Sequence, residues 1–172
     1  ITLGTPAVAD VIPQHGVSAD DLLGLAASAE MFSEHPLAHA IVTRARDRGL
    51  TIHEPSAFQN EPGLGVVATV NGREILVGNA DWISAQQTNG KPMQAIDGQT
   101  AVHVAARDAN NQLTTLGTIA LADAVKSDSA AAIADLHHMG LNTVLLTGDN
   151  AAAARAVAAQ VGIQDVLADG RP

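Results

Sequence analysis

Cysteine is absent from the 172 residues, so neither a disulfide nor a thiolate metal site can hold this fold together. Tyrosine is absent too, and Phe32, Phe58 and Trp82 are the only aromatic residues, which excludes a ligand site built as a stack of rings. Basic residues are few: nine Lys and Arg stand against eighteen Asp and Glu, a formal net charge of −9. With no basic run, the chain lacks the clustered Lys and Arg that supply most of the affinity of a nucleic-acid surface, so no nucleic-acid partner is expected. No window approaches the ~18 uninterrupted apolar residues of a membrane span. The first residues are neither basic nor followed by an apolar stretch of the secretory kind, so no signal peptide is visible. What is present is apolar content, 47%, enough for one domain or two small ones with a real core. An acidic domain of this kind can still bind an anionic nucleotide, through local backbone donors or a metal ion rather than a global field.

Taken in order, residues 1–12 read as an extended connection, and 13–16 as a polar turn and hinge. Ser18 and Asp21 form a capping pattern ahead of Leu22, Leu23 and Leu25, which predicts a helix over 19–31. Pro36 suits a first helical position because its missing N–H has no intrahelical partner there. The second helix is expected to run to about Arg48 with an apolar stripe of Leu37, Ala40, Ile41 and Ala45, ended by Gly49. From residue 51 the period shifts towards two. Strands are expected at 57–59, 65–70 and 73–77, with Asn71-Gly72 as a type I′ hairpin turn. A short helix at 80–85, a mobile polar loop at 86–98 and strands at 101–106 and 114–120 complete an antiparallel sheet with helices on one side. The pattern then alternates: a helix over 128–139 capped by Ser127, a buried strand at 143–146, an alanine-rich helix over 151–161 and a strand at 165–168.

Several constellations carry chemical potential. Glu30 and His35 lie five residues apart at a helix–turn–helix corner, where a carboxylate and an imidazole can read a polar, planar ligand edge; a capped surface turn is the alternative. Gly63 and Gly65 remove Cβ atoms where backbone can lie flat against a ligand, or where it simply turns tightly. Asn79, after Gly78, offers an amide that both donates and accepts, or a strand-ending cap. Thr147-Gly148-Asp149-Asn150 follows an apolar strand and opens a helix, a place where a hydroxyl and a carboxylate suit phosphate and Mg²⁺. Asp123 and Lys126 read by default as a solvated ion pair. His35 and His39 have the i, i+4 spacing of a metal pair but no third ligand nearby, and His137 and His138 suit a helix C-terminus.

Together these motifs resemble the cytosolic ATP-binding region of heavy-metal-transporting P-type ATPases, in particular the copper(I) branch. Ser33-Glu34-His35-Pro36-Leu37 is similar to that family's SEHPL motif, with Glu30 in place of its upstream adenine-binding glutamate. Gly63-x-Gly65, Gly78-Asn79, Thr147-Gly-Asp-Asn150 and Asp123-Ala-Val-Lys126 resemble its glycine motif, binding-site asparagine, TGDN and hinge motifs. The resemblance implies an α/β chain. Residues 17–116 would be an α+β nucleotide-binding domain, an antiparallel sheet with flanking helices. It would be inserted in a partial haloacid-dehalogenase-like parallel α/β phosphorylation domain, built from 1–16 (an N-terminal piece and hinge) and 117–172. It implies ATP or ADP as ligand and Mg²⁺ as cofactor. Glu30, His35, Gly63, Gly65 and Asn79 would contact the nucleotide, and Thr147 and Asp149 would lie on the phosphate side. It further implies, as partners, the actuator, membrane and metal-binding domains of a parent transporter. The location would be the cytoplasmic side of a membrane, without membrane contact by this region itself. The family's phosphorylated aspartate is missing ahead of Ile1, and its catalytic lysine and GDGxND motif lie beyond Pro172. The chain is therefore expected to be a fragment that binds nucleotide without full turnover. A haloacid-dehalogenase-like phosphatase and a non-catalytic interaction module are the competing readings.

Overall fold

The computed structural model describes residues 1–14, 16–87, 99–108, 110–147 and 151–168. These fall into two compact units, one of residues 7–87 and 101–121, the other of 1–6, 99–100 and 122–168.

The larger unit is built on a six-stranded antiparallel sheet. Its strands are β1 (Thr2–Pro13), β2 (Ala57–Glu61), β3 (Gly65–Val70), β4 (Arg73–Gly78), β5 (Thr100–Arg107) and β6 (Leu113–Val125), in the order β1-β6-β5-β4-β3-β2. Residues 1–12, expected as a mere connection, thus supply an edge strand. At the β3–β4 turn Asn71 and Gly72 have φ of +50° and +76°, the two left-handed residues that a type I′ turn needs, as the sequence predicts. Helix α1 (Ala19–Ala29) starts where Ser18 Oγ accepts the Asp21 N–H at 3.0 Å, with Asp20 and Asp21 placed favourably in the first turn. Helix α2 (Pro36–Asp47) begins at Pro36, carries Arg44 and Arg46 in its last turn, and gives way to Gly49 at φ +68°.

The stripe on α2 differs from the expected one. Ala38, Ile41, Val42 and Ala45 are buried, while Leu37 and Ala40 sit half-buried at its edge, so the buried face is rotated from the one the larger side chains suggest. Strand alternation sorts the core into two layers. Val66, Ala68, Val70, Ile75, Val77 and Val104 face Leu22, Leu23, Ala26 and Ile41 of α1 and α2. Val67, Leu76 and Ala105 face Trp82 and Ile83 of α3 (Ala80–Ala85). Helices therefore cover both faces of the sheet rather than one. The reason lies in β4: Ile75, Leu76, Val77 and Gly78 are buried in succession, so neither face of that strand is left to solvent. Leu22, Leu23 and Ile75 are fully buried, and truncating any one to Ala is expected to cost about 2–5 kcal/mol.

The smaller unit holds α4 (Ser129–His138), β7 (Val144–Leu146), α5 (Ala151–Val161) and β8 (Asp165–Leu167), with β7 and β8 parallel. Asp128, not Ser127, occupies the N-cap of α4, and its side chain makes no capping bond. The neighbouring hydroxyl has another role: Ser129 Oγ donates to the Ile1 carbonyl at 2.9 Å, beside the Lys126 N–H on the same oxygen at 3.0 Å. Ile133 of α4 and Ala154, Ala158 and Val161 of α5 pack with Leu145 and Val166. Since the described helices pack against that one face, the strand expected to be buried is so only at Leu145; Val144 and Leu146 are 52% and 72% exposed.

Candidate functional site

In the larger unit the turn from α1 into α2 is tightly determined. The Glu30 N–H closes α1 on the Ala26 carbonyl, and the Ser33 N–H returns to the Glu30 carbonyl at 3.0 Å. This tucks the Glu30 side chain inward: the residue is 8% exposed, and its Oε2 is buried with no hydrogen-bond partner among the described residues. Burial pushes its carboxyl up from 4.5 to about 7, against the lowering effect of a Ser33 hydrogen bond. An orphaned carboxylate oxygen of this kind is costly and calls for an explanation.

His35 is the N-cap of α2. Its Nδ1 accepts the Leu37 N–H at 3.2 Å, which places the proton of the neutral ring on Nε2 and leaves that N–H as a donor. Phe32, between the two, meets Phe58 of β2 edge to face at 6.0 Å, tying the corner to the β2–β3 hairpin on the face covered by α1 and α2. Phe58 pairs with Ala68, and Glu61 with Gly65 at the hairpin's end. Three residues of strand separate those positions, on the order of 10 Å, roughly the length of a nucleoside.

At that end Gly63 has φ +75° and nothing within 4 Å of where a Cβ would lie, so its backbone is open to a ligand. Gly65 is bare for a different reason. A Cβ there would collide with the Val77 carbonyl, lie 2.6 Å from Gly78 Cα and 2.9 Å from the Trp82 ring, on the α3 face. Asn79 is the N-cap of α3. Its Oδ1 accepts the Trp82 N–H at 2.8 Å, its Nδ2 donates to the Gly63 carbonyl at 3.2 Å, and its own N–H donates to the Leu64 carbonyl at 3.0 Å.

In the smaller unit Thr147 stands at the C-terminal end of β7, its N–H donating to the Leu167 carbonyl at 3.0 Å. Gly148, Asp149 and Asn150 lie outside the described residues, as do residues 88–98 of the expected loop. Asp123 and Lys126 do not pair; instead Asp123 Oδ1 is buried and without a hydrogen-bond partner among the described residues. Among the described residues no group of three metal-ligating side chains gathers around His35 and His39 or elsewhere.

Two features escaped the sequence reading. His103 is 2% exposed in mid-strand, its Nδ1 2.9 Å from Thr118 Oγ1, and burial lowers its pKa. Its position in a β-period apolar run was the available signal. A cavity of about 540 Å³ is bordered by Asp21, Ser28, His53 and Arg73, and none of the residues nominated for the nucleotide or phosphate site lines it. It depends on contacts between α1 and the β3–β4 turn that no local pattern reveals.

A family model for haloacid dehalogenase-like hydrolases matches residues 1–171. The chain belongs to that family. Within it, the sequence is similar to a copper-exporting P-type ATPase of Staphylococcus epidermidis, 42% identical over 179 aligned residues that include all of this chain. The chain spans 21% of that protein's length. Among solved structures it is similar to a zinc-transporting PIB-type ATPase at TM-score 0.75 and 35% identity, covering 98% of this chain and 27% of that one. The N-domain of HMA8, a copper-transporting P-type ATPase, aligns at TM-score 0.55 and 26% identity, over 70% of this chain and 99% of its own. The haloacid dehalogenase-like chain is thus a mixed α/β molecule whose neighbours are P-type ATPase cytosolic domains, as the resemblance in its motifs implies.

Proposed function

We propose that this chain is the ATP-binding part of a heavy-metal-exporting P-type ATPase of the copper type, and that the adenine lies between the Glu30–His35 corner and the Gly63 turn. The observation that carries the reading is Glu30 Oε2, a buried acceptor with no hydrogen-bond partner among the described residues. Adenine supplies what it lacks, an exocyclic amino donor, while the Nε2–H of His35 faces the acceptors of the ring or sugar. Gly63 gives the base a backbone surface without side chains. Gly65 and Asn79 belong to the same hairpin end and complete the proposed set.

Thr147 and Asp149 are proposed for the phosphate side. P-type ATPases in general use ATP with Mg²⁺. Mg²⁺ is typically held by one or two carboxylates plus substrate phosphates and water, so a site of two oxygens can suffice. In the smaller unit Asp123 Oδ1 is a buried, hard oxygen donor without a hydrogen-bond partner among the described residues, and it fits such an ion. Mg²⁺ would supply charge neutralisation for the phosphates. In the parent protein, the proposed partners are the actuator, membrane and metal-binding domains, with this region on the cytoplasmic side. No helix among the described residues is long and apolar enough to cross a membrane.

Calorimetric titration of the chain with ATP tests the reading, with amide shifts followed by NMR. Binding with shifts at 30–35 and 63–65 is expected. An absence of both heat and shifts overturns it. His35→Asn is the informative variant, because Asn keeps the N-cap of α2 but does not carry a donor as far as Nε2. Affinity is expected to fall roughly tenfold, the loss of one good hydrogen bond.

A further inference from the structure

Gly65 and Gly78 are cross-strand partners on β3 and β4. A Cβ on Gly65 would come within 2.9 Å of Trp82 Cζ3, and one on Gly78 within 2.6 Å of Cε3 and 2.8 Å of Cζ3. The two glycines therefore form a notch, and one edge of the indole fills it. Trp82 sits on the face of the sheet opposite α1 and α2, in the small cluster with Leu76, Ile83 and Ala105. From the same residue the backbone N–H donates to Asn79 Oδ1, and the Asn79 amide group reaches on to the Gly63 carbonyl. The Asn79 N–H holds Leu64, and the Leu64 N–H closes the turn on Glu61 at 2.9 Å. Every described hydrogen bond that fixes the Gly63 turn, apart from that last one and the strand ladder, runs through Asn79, whose cap orientation depends on Trp82.

We infer that Trp82 is a positioning residue for nucleotide binding: its indole, seated in the Gly65–Gly78 notch, and its N–H, holding Asn79, fix the Gly63 turn from behind the sheet. This rests on the ATP-binding reading above. Backbone alone excludes a Cβ at both positions, since one on Gly65 would strike the Val77 carbonyl and one on Gly78 the Leu64 carbonyl. The notch that this close approach leaves is the space the indole edge occupies, beside the start of α3. Asn79 then acts on the nucleotide through the Gly63 carbonyl's position, with one acceptor and one donor of its amide already engaged inside the protein.

Because Trp82 is the sole tryptophan, its emission reports this position alone. The experiment titrates the wild-type chain, Trp82→Phe and Trp82→Ala with ATP by calorimetry, with affinity referred to the folded fraction from the fitted stoichiometry. Wild-type indole emission is read in parallel. The expected result is roughly tenfold weaker binding in Trp82→Ala, recovery to within about twofold in Trp82→Phe, and amide shifts in Trp82→Ala that reach 63–65 beyond the ring's own neighbours while those at 33–37 stay in place. A merely structural role would lower the melting temperature of Trp82→Ala without changing the affinity of its folded fraction, and that outcome overturns the inference. If Trp82→Ala does not fold, wild-type emission decides: a change on saturation with ATP supports the coupling, and none refutes it. Failure of the wild type itself to bind ATP removes the underlying reading instead, which separates the two.

Discussion

Glu30 should make this protein less stable as pH rises, and Glu30→Gln should remove that loss. The carboxyl titrates near 4.5 when unfolded and at about 7 when buried in the fold. Below both values the two states are equally protonated and the group contributes nothing. Between them the unfolded chain ionises while the folded one keeps its proton, so stability falls with pH. Above about 7 the loss is complete, at ~3 kcal/mol. From pH 5 to pH 8 the same two values give a change of about 2.5 kcal/mol. The group is 8% exposed, so solvent screening takes little from that figure. The Gln variant carries its own cost for a buried amide, but that cost does not depend on pH and cancels from the slope. The assay is urea unfolding of both proteins at pH 5 and pH 8. With an m-value near 2 kcal/mol/M, the wild-type midpoint should drop by roughly 1 M relative to the variant. A separation between the two midpoints that stays constant from pH 5 to pH 8 would refute the reasoning, because it would mean Glu30 ionises equally easily in both states.

Four further outcomes are expected. Adenosine, which has no phosphate to titrate, should bind more weakly at pH 6 than at pH 8, since an ionised Glu30 is a stronger acceptor for the amino group than the neutral carboxyl; calorimetry at the two pH values checks this. Gly65→Ala should destabilise by about 1–3 kcal/mol through collision with Trp82 and the β4 backbone, whereas Gly63→Ala, in open space, should cost only the ~1–2 kcal/mol of its positive φ; chemical denaturation separates them. Asn79→Ala should lose ~1 kcal/mol with the cap of α3, and the Leu64 and Gly65 amides should exchange faster with solvent. His103, neutral in the fold because burial lowers its pKa, should make the wild type lose stability below the ordinary value of 6.5, where only the unfolded chain takes up a proton; His103→Gln should flatten that part of the unfolding profile.

What the sequence made legible follows from how local the cause is. The start of α1 at Ser18 and the break at Gly49 are set within one turn of chain, and so is the Asn71-Gly72 hairpin; all three stand where residue chemistry puts them. The side of the sheet on which each helix packs is not local. Trp82 lies on the far face because Gly65 and Gly78, thirteen residues apart, meet across two strands and leave room for it. The rotation of α2 towards Ala38 and Val42 is of the same kind: it is set by packing against α1, which buries Ile41 and Ala45 with them and leaves Leu37 half-buried. Ser127 looked like the cap of α4, but Asp128 takes that position without a capping bond, and only the Ile1 carbonyl, at the other end of the sequence, shows that the Ser129 hydroxyl is the one engaged. At the site, Glu30 and His35 were visible as residue types at a corner, but the orphaned oxygen and the ring tautomer needed coordinates.

Glu30 and Trp82 together show why this hairpin end reads as a binding site rather than a well-packed turn. A buried carboxyl with one oxygen unpartnered among the described residues lowers stability at neutral pH, and Gln at the same place would be free of that charge penalty. On the opposite face, the turn is held by an aromatic ring and an asparagine with donor and acceptor both engaged, an arrangement that resists movement. A turn meant only to connect β2 with β3 needs neither. One side is left unsatisfied and the other is fixed, so a ligand with a donor for Oε2 meets a surface that does not have to reorganise to receive it. The stability given up in the empty state is then recovered on binding. This predicts that ATP raises the urea midpoint more at pH 8, where Glu30 is ionised and uncompensated, than at pH 6. The comparison is made at one fixed nucleotide concentration at both pH values, with GTP at the same concentration as control, whose O6 offers Glu30 an acceptor instead of a donor. Equal stabilisation by the two nucleotides at pH 8 would show that Oε2 does not read the base.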